Sequence, residues 1–404
     1  MMRLIKTLFV LFGLLNYPLT VLAQNMFKTV ADTPVYAQIL GENRQVAMLS
    51  DVFFFSAAED KSIASEAVTI QFGNETANVK KDSVRQGDTA KSAVEKNQDL
   101  SGYIITTKPT TLYDRIADNA LKIATLEPQL RYPFVSKQPD NKGTFWYQVN
   151  LADRTLYMKE SDVQADNGIP IVMYHHVLLD QENKKYRNTP TTVSRDALRF
   201  QFRTINELGF KIIRLSELEK YLHGNINLPS KVAVLTFDDG LKSVYRYAYP
   251  LLKQFGFHAS LFVITSRIQP TPQDWAPDSL QFLSVSEYQS MKDHTDLQSH
   301  SHAMHHYQNF KPAAPQNDYQ TLYIDLIRSK QELAKLDAQP QYFAYPFGAY
   351  SDDYLKAVTN TGFSMALTTK WGKVQFGDNP LLLKRVYFMS DSSKQKIAAI
   401  LGNE

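Results

Sequence analysis

Val232-Ala233-Val234-Leu235-Thr236-Phe237-Asp238-Asp239-Gly240 is the stretch on which the reading of the C-terminal half turns. Its apolar part is too short for a buried helix and reads as a buried strand. It stops on two adjacent carboxylates. Side by side, ionised and unpaired, these are costly, and a cation would remove the cost. Gly240 then permits a sharp exit from the strand.

Working outward, short apolar runs recur at 169–174, 260–264, 296–298, 342–345 and 364–367. Amphipathic stretches separate them. One begins at Ser194, a good N-cap, with Leu198, Phe202, Ile205 and Leu208 on one face. Others are expected at about 244–255, stopping at Gly256, at about 319–336, and at 352–361, stopping at Gly362. Strand–helix alternation indicates a parallel α/β fold. Six or seven such units fit a barrel or partial barrel better than an open sheet. In parallel barrels functional residues gather where strands end. Here the run ends carry Asp238-Asp239-Gly240, Tyr174-His175-His176, Tyr345-Pro346-Phe347-Gly348, and the segment 298–306 with His300, His302, His305 and His306. Each motif alone reads as an ordinary turn or solvated loop. Independent turns have no reason to fall at the ends of consecutive runs in one α/β unit.

From Phe27 to about Val163 the texture differs. Short alternating stretches rich in β-branched and aromatic residues are broken by Gly, Asn and Asp, so an all-β region is expected. It reads as duplicated. Thr33-Pro34-Val35-Tyr36 matches Thr110-Thr111-Leu112-Tyr113, and residues 79–84 match 158–163. The units are 24–85 and 102–165, joined by a polar linker at 86–101. Their pattern resembles bacterial SH3-like modules, which implies binding to cell-wall or matrix glycans; a single irregular β domain is the alternative.

The chain of 404 residues is 44% hydrophobic and 21% charged, with a formal charge of +3, and is long enough for two or three domains. No basic stripe marks a nucleic-acid partner. There are no cysteines, so any metal must use His, Asp or Glu. Arg3 and Lys6, an apolar run at 7–15 and Val21-Leu22-Ala23 have the three-part layout of a signal peptide, with cleavage expected after Ala23. The run is short for a membrane span, and no later segment is apolar enough to cross. The mature protein is therefore expected to be exported, either periplasmic or secreted.

Residues from about Ile169 to Val386 resemble the NodB-type polysaccharide deacetylases, carbohydrate esterase family 4. Thr236-Phe237-Asp238-Asp239-Gly240 matches that family's first motif letter for letter. The resemblance implies a distorted (β/α) barrel, expected to be seven-stranded, over residues 168–404. It makes Asp238 the general base and Asp239 a metal ligand. His300 and His305 are the two further ligands, spaced five apart rather than the common four. That spacing is similar to the branch acting on poly-β-1,6-N-acetylglucosamine. His302 with His306 is the fallback pair. Ala344-Tyr345-Pro346-Phe347 stands where many members have Arg-x-Pro-Tyr, so the arginine that orients the base is missing. Leu383-Lys384-Arg385-Val386 replaces a Leu-x-His motif, so the usual general-acid histidine is absent. His175 becomes the candidate acid, with His176 pointing away from the site.

The chemistry is coherent on its own terms. One Asp and two His leave a divalent ion an open position for water. Zinc is the first expectation, with cobalt, nickel or iron suited to similar ligands. A second carboxylate takes the proton of the attacking water, and an imidazolium protonates the departing amine. The N–H of Tyr345 or a neighbour is a candidate oxyanion donor. Tyr307, Tyr345, Pro346, Phe347 and Trp371 are candidates to line a sugar groove. The expected activity is removal of N-acetyl groups from an exported N-acetylglucosamine polymer, the β-1,6-linked one first. Peptidoglycan or chitooligosaccharides, or non-catalytic glycan binding, are the alternatives.

Overall fold

A computed structural model of the chain describes residues 26–51, 53–57, 66–87 and 100–402. The expected signal peptide and most of the expected linker lie outside the described residues.

The main sheet of the C-terminal domain is parallel, with β1 (Ile171–Tyr174), β2 (Val232–Phe237), β3 (Ala259–Val263), β4 (Thr295–Ser299), β5 (Tyr342–Ala344), β6 (Met365–Trp371) and β7 (Leu383–Arg385) hydrogen-bonded in that order, and an eighth, short strand, Lys211–Ile212, pairs parallel with β2 off this path. The circle closes where Val386 N donates to Ile171 O at 2.8 Å and Met173 N donates to Val386 O at 2.8 Å. β2 is buried at every position. Val232 and Val234 join one apolar cluster, and Ala233, Leu235 and Phe237 join another. That is the two-sided burial expected of a parallel strand between helices and barrel interior. The barrel is distorted between β4 and β5, where Ser299–Phe343 is the one paired position. There the side chain of Gln298 substitutes for the ladder. Its Oε1 accepts from Gln341 N at 3.1 Å and Tyr342 N at 2.9 Å.

The helices are α1 (Arg195–Glu207), α2 (Leu215–Leu222), α3 (Tyr249–Phe255), α4 (Val285–Ser290), α5 (Tyr319–Ala334), α6 (Asp352–Asn360) and α7 (Lys394–Leu401). Ser194 caps α1 by accepting from Ala197 N at 3.0 Å. Leu198, Phe202 and Ile205 are buried on one face of that helix. The helix expected over 244–255 begins as a π-helical turn at Val244–Ala248 and turns α-helical only at Tyr249. Pro250 has no N–H to donate to Arg246, so the regular ladder cannot run through it. No helix among the described residues is long and apolar enough to cross a membrane.

The N-terminal region is all β, and its duplication shows in its hydrogen bonds. Thr29 Oγ1 donates to Ser50 O at 2.5 Å and accepts from Phe53 N at 3.0 Å. Thr106 Oγ1 donates to Glu127 O at 2.8 Å and accepts from Leu130 N at 3.0 Å. Each residue of one set lies the same number of positions after its counterpart. The two copies are nevertheless not free-standing modules. Strand Glu42–Leu49 pairs antiparallel with strand Lys122–Leu126, so that Met48 faces its own counterpart Thr125. Leu151 pairs with Phe72 on the other side. One nine-stranded sheet and one core result, because each copy covers an edge that would otherwise expose unpaired backbone.

This region seats on the end of the barrel where the strands begin. Strand Leu130–Phe134 pairs with Leu228–Pro229, just before β2. Arg131 Nε binds Asp166 Oδ2 at 2.8 Å, both buried, and Tyr221 Oη donates to the same oxygen at 2.8 Å. Asn227 Nδ2 donates to Phe72 O at 2.7 Å. The mouth formed by the strands' C-terminal ends is left uncovered by these contacts.

Candidate active site

At that mouth the strand ends deliver the residues singled out by sequence. Asp238 and Asp239 follow β2, His300 follows β4, and His175 follows β1. Asp239 turns into a left-handed conformation, φ 72°, and Gly240 repeats it with φ 72°. A Cβ on Gly240 would lie 2.5 Å from Tyr288 Oη, so the sharp exit demands glycine.

Asp239, His300 and His305 bring one ligand atom each within 4.8 Å of one another. His300 is buried, and its Nδ1 lies 2.7 Å from Ala344 O. A carbonyl only accepts, so Nδ1 carries the proton and the Nε2 lone pair faces Asp239 Oδ1 at 3.6 Å. His305 Nε2 lies 3.2 Å from the same oxygen. Burial holds both imidazoles down to about 4, against partial support from the carboxylates; Arg267 lowers His305 further. Both are therefore neutral near pH 7. Asp239 Oδ1 is a buried acceptor with no hydrogen-bond donor. The bare Nε2 of His300 and the neutral imidazole of His305 crowd an orphaned carboxylate oxygen, an arrangement that a cation among them would stabilise. The donor set fits a divalent ion.

The fallback pair is not assembled. His302 Nδ1 contacts Thr265 Oγ1 at 3.0 Å, and His306 is exposed with Nδ1 near Ala303 O. The loop carrying the ligands is held from behind. Asp325, on α5, accepts from His302 N and Ala303 N at 2.8 Å each. Arg267 Nη2 donates to His305 O at 3.0 Å. Ser301 lies at φ 69°.

The second carboxylate is set apart by its partner. Arg385 Nη1 and Nη2 bind Asp238 Oδ1 and Oδ2 at 2.8 Å each, a two-pronged pair buried from solvent. Arg385 Nε donates to Thr368 O at 2.8 Å, fixing the fork. Burial alone would raise the Asp238 carboxyl. Arg385, with His300 and His175, outweighs it and holds Asp238 well below the usual carboxylate range. The arginine taken as missing beside Tyr345 is thus supplied from β7. Sequence reasoning treated Arg385 only as the replacement of a histidine. Its signal was an arginine two positions after Leu383 and next to Val386, in register to point inward with Leu383. His175 Nε2 stands 3.9 Å from Asp238 Oδ2, partly exposed to the mouth. His176 is buried edge-on against Tyr186, away from the carboxylates.

The aromatic candidates divide. Tyr345 is fully buried and packs on Phe343 and Tyr354, and Pro346 is buried beside it, so neither presents a face to a sugar. The Tyr345 N–H is already donated to Leu367 O at 3.0 Å and is no oxyanion donor. Phe347, at φ 58°, lies over His305 with ring centroids 4.2 Å apart, and Tyr307 lies on Phe347 at 4.5 Å. Tyr307 and Trp371 are more than half exposed.

Residues 225–366, which span β2 to β5 and both loops that bear the candidate ligands, match the family model for polysaccharide deacetylase. The C-terminal domain is thus similar to polysaccharide deacetylase domains. This domain is similar to the structure of IcaB from Ammonifex degensii, with 27% identity and a TM-score of 0.51 over 58% of this chain and 97% of that one. It is also similar to the deacetylase PplD of Streptococcus pyogenes in complex with acetate, with 25% identity and a TM-score of 0.51 over 58% and 98%. Among curated relatives it is 23% identical over 278 residues to the poly-beta-1,6-N-acetyl-D-glucosamine N-deacetylase of Escherichia coli (strain K12). That match covers 58% of this chain and 41% of the relative. Members of the matched family are hydrolases that generally depend on a metal.

Proposed function

We infer that the chain removes N-acetyl groups from N-acetylglucosamine residues of an exported polymer, poly-β-1,6-N-acetylglucosamine first, using one divalent ion. The single observation that carries the reading is the pairing of two unlike carboxylates. Asp239 faces two neutral imidazoles, while Asp238, beside it, is clamped by Arg385 and faces His175.

Asp239, His300 Nε2 and His305 Nε2 would hold the ion, with zinc favoured by two nitrogens and one oxygen. When bound, such an ion supplies Lewis acidity to water and to the acetyl carbonyl. Asp238, kept ionised by Arg385, accepts the proton of the attacking water as its oxygen adds to the carbonyl carbon. His175, on the open side of Asp238, gives a proton to the sugar nitrogen as the C–N bond breaks, so acetate and a free amine leave. Phe347, Tyr307 and Trp371 offer apolar faces to the sugar rings.

The β-1,6 linkage is assigned because the Escherichia coli relative carries that substrate in its name. The leader-like residues 1–23 assign the protein to the periplasm or cell exterior. The duplicated β region is assigned to anchoring on cell-wall or matrix glycan, away from the mouth. The test is acetate release from β-1,6- and β-1,4-linked oligomers, with Asp238→Asn as control. Release from the β-1,6 chain is expected, falling by about 10²–10⁴-fold in the variant. Release from the β-1,4 chain alone reassigns the substrate, and none from either leaves a non-catalytic binder.

A further inference from the structure

Two residues past His305 the chain makes a small hairpin, Tyr307–Gln308 against Lys311–Pro312. Its turn is Asn309-Phe310, at φ 51° and 60°. Left-handed turns of this kind take glycine at the second position, because a side chain there is strained. Here the position holds a phenylalanine, and Phe310 is completely exposed. It buries nothing in the fold that would offset the strain. The hairpin is nevertheless held stiffly. Gln316 Nε2 donates to Gln308 O at 2.8 Å, Lys311 O at 3.2 Å and Pro312 O at 2.9 Å. Tyr307, Asn309 and Phe310 line an open recess of about 620 Å³. Tyr307, which lines the recess, rests on Phe347 with ring centroids 4.5 Å apart, and Phe347 rests on His305 at 4.2 Å, so a file of rings leads from the recess to the candidate metal site.

We propose that this recess is a subsite for a sugar residue neighbouring the one being deacetylated, with Phe310 and Tyr307 taking the apolar faces of its ring and Asn309 a hydroxyl. The subsite rests on the deacetylase reading above. Its occupant follows from magnitudes. One exposed ring contributes on the order of tenfold to a hundredfold in an equilibrium. That is too little to hold a whole protein on a membrane or a partner by itself, given the cost of association. It is ample for a polymer already held at the metal centre, where the second contact is intramolecular.

The test compares the wild-type protein with Phe310→Gly and Phe310→Tyr on a β-1,6-linked chain of several N-acetylglucosamine units and on the monosaccharide. Glycine suits the turn, so Phe310→Gly keeps the fold and removes only the ring. Its KM for the long chain is expected to rise about tenfold relative to its KM for the monosaccharide, with kcat held. Phe310→Tyr is expected to retain the wild-type ratio. An unchanged ratio in Phe310→Gly overturns the subsite. So does sedimentation of wild type, but not Phe310→Gly, with phosphatidylglycerol vesicles at an unchanged ratio, which makes the hairpin a membrane contact. Absence of acetate release from the wild type overturns the underlying reading and the subsite together, whereas release indifferent to Phe310→Gly overturns the subsite alone.

Discussion

A carboxylate as buried as Asp238 stays ionised because a guanidinium lies across both of its oxygens. On the proposed reading, in which Asp238 is the base, Arg385 sets the pH at which it works. Arg385→Met removes the cation that outweighs burial, so the Asp238 pKa rises and the base protonates at higher pH. The acid limb of the kcat/KM profile should move up by about 1–3 units, with activity lost most at low pH and partly recovered in alkali. A profile superimposable on wild type would mean that Asp238 is not the base. At this scale most of the site was legible. The Asp-Asp-Gly end of β2 and the histidine cluster announce themselves because uncompensated charge and repeated imidazoles are rare at strand ends. Arg385 was not, because its register says only that it points inward; that it meets Asp238 depends on which barrel strand closes beside β1, a tertiary fact.

The segment between His300 and His305 is a loop whose shape is imposed by its neighbours. Its five-residue step passes through Ser301 at φ 69°, and Asp325 of α5 gathers the two N–H groups at its midpoint. Asp325→Ala leaves those donors unpaired and frees the loop. Metal affinity, measured by chelator competition, should fall about tenfold or more while the far-UV spectrum keeps its helical signature. Unaltered affinity would show that the loop holds its shape without α5. Four of the helices, α1, α3, α5 and α6, were readable from caps and periodicity, as at Ser194 and Gly256, whereas the short α2, α4 and α7 were not read. The π-turn at Val244–Ala248 was not, since the apolar pattern is blind to a ladder shifted by Pro250. Nor did the aromatic turn announce that Tyr345 faces inward while Phe347 faces the mouth, a difference made by one left-handed residue.

Across the whole molecule, the duplicated β region and the barrel are tied by a buried hub, Arg131 with Asp166 and Tyr221. Arg131→Met strips Asp166 of its cation in a buried site, so the protein should lose about 3–5 kcal/mol of stability in urea titration. A change within experimental error would show the hub to be solvated in solution. The duplication was visible in the repeated Thr33 and Thr110 motifs. The joining of the copies at Met48 and Thr125 was not, because edge strands pair through backbone groups that leave no side-chain signature. The account as a whole stands on a cation among Asp239, His300 and His305. The most direct measurement is the divalent-metal content of the purified protein, read with acetate release before chelation, after it, and after zinc is returned. A single bound equivalent is expected, with release lost on stripping and restored on addition. Undiminished release from fully stripped protein would contradict the account.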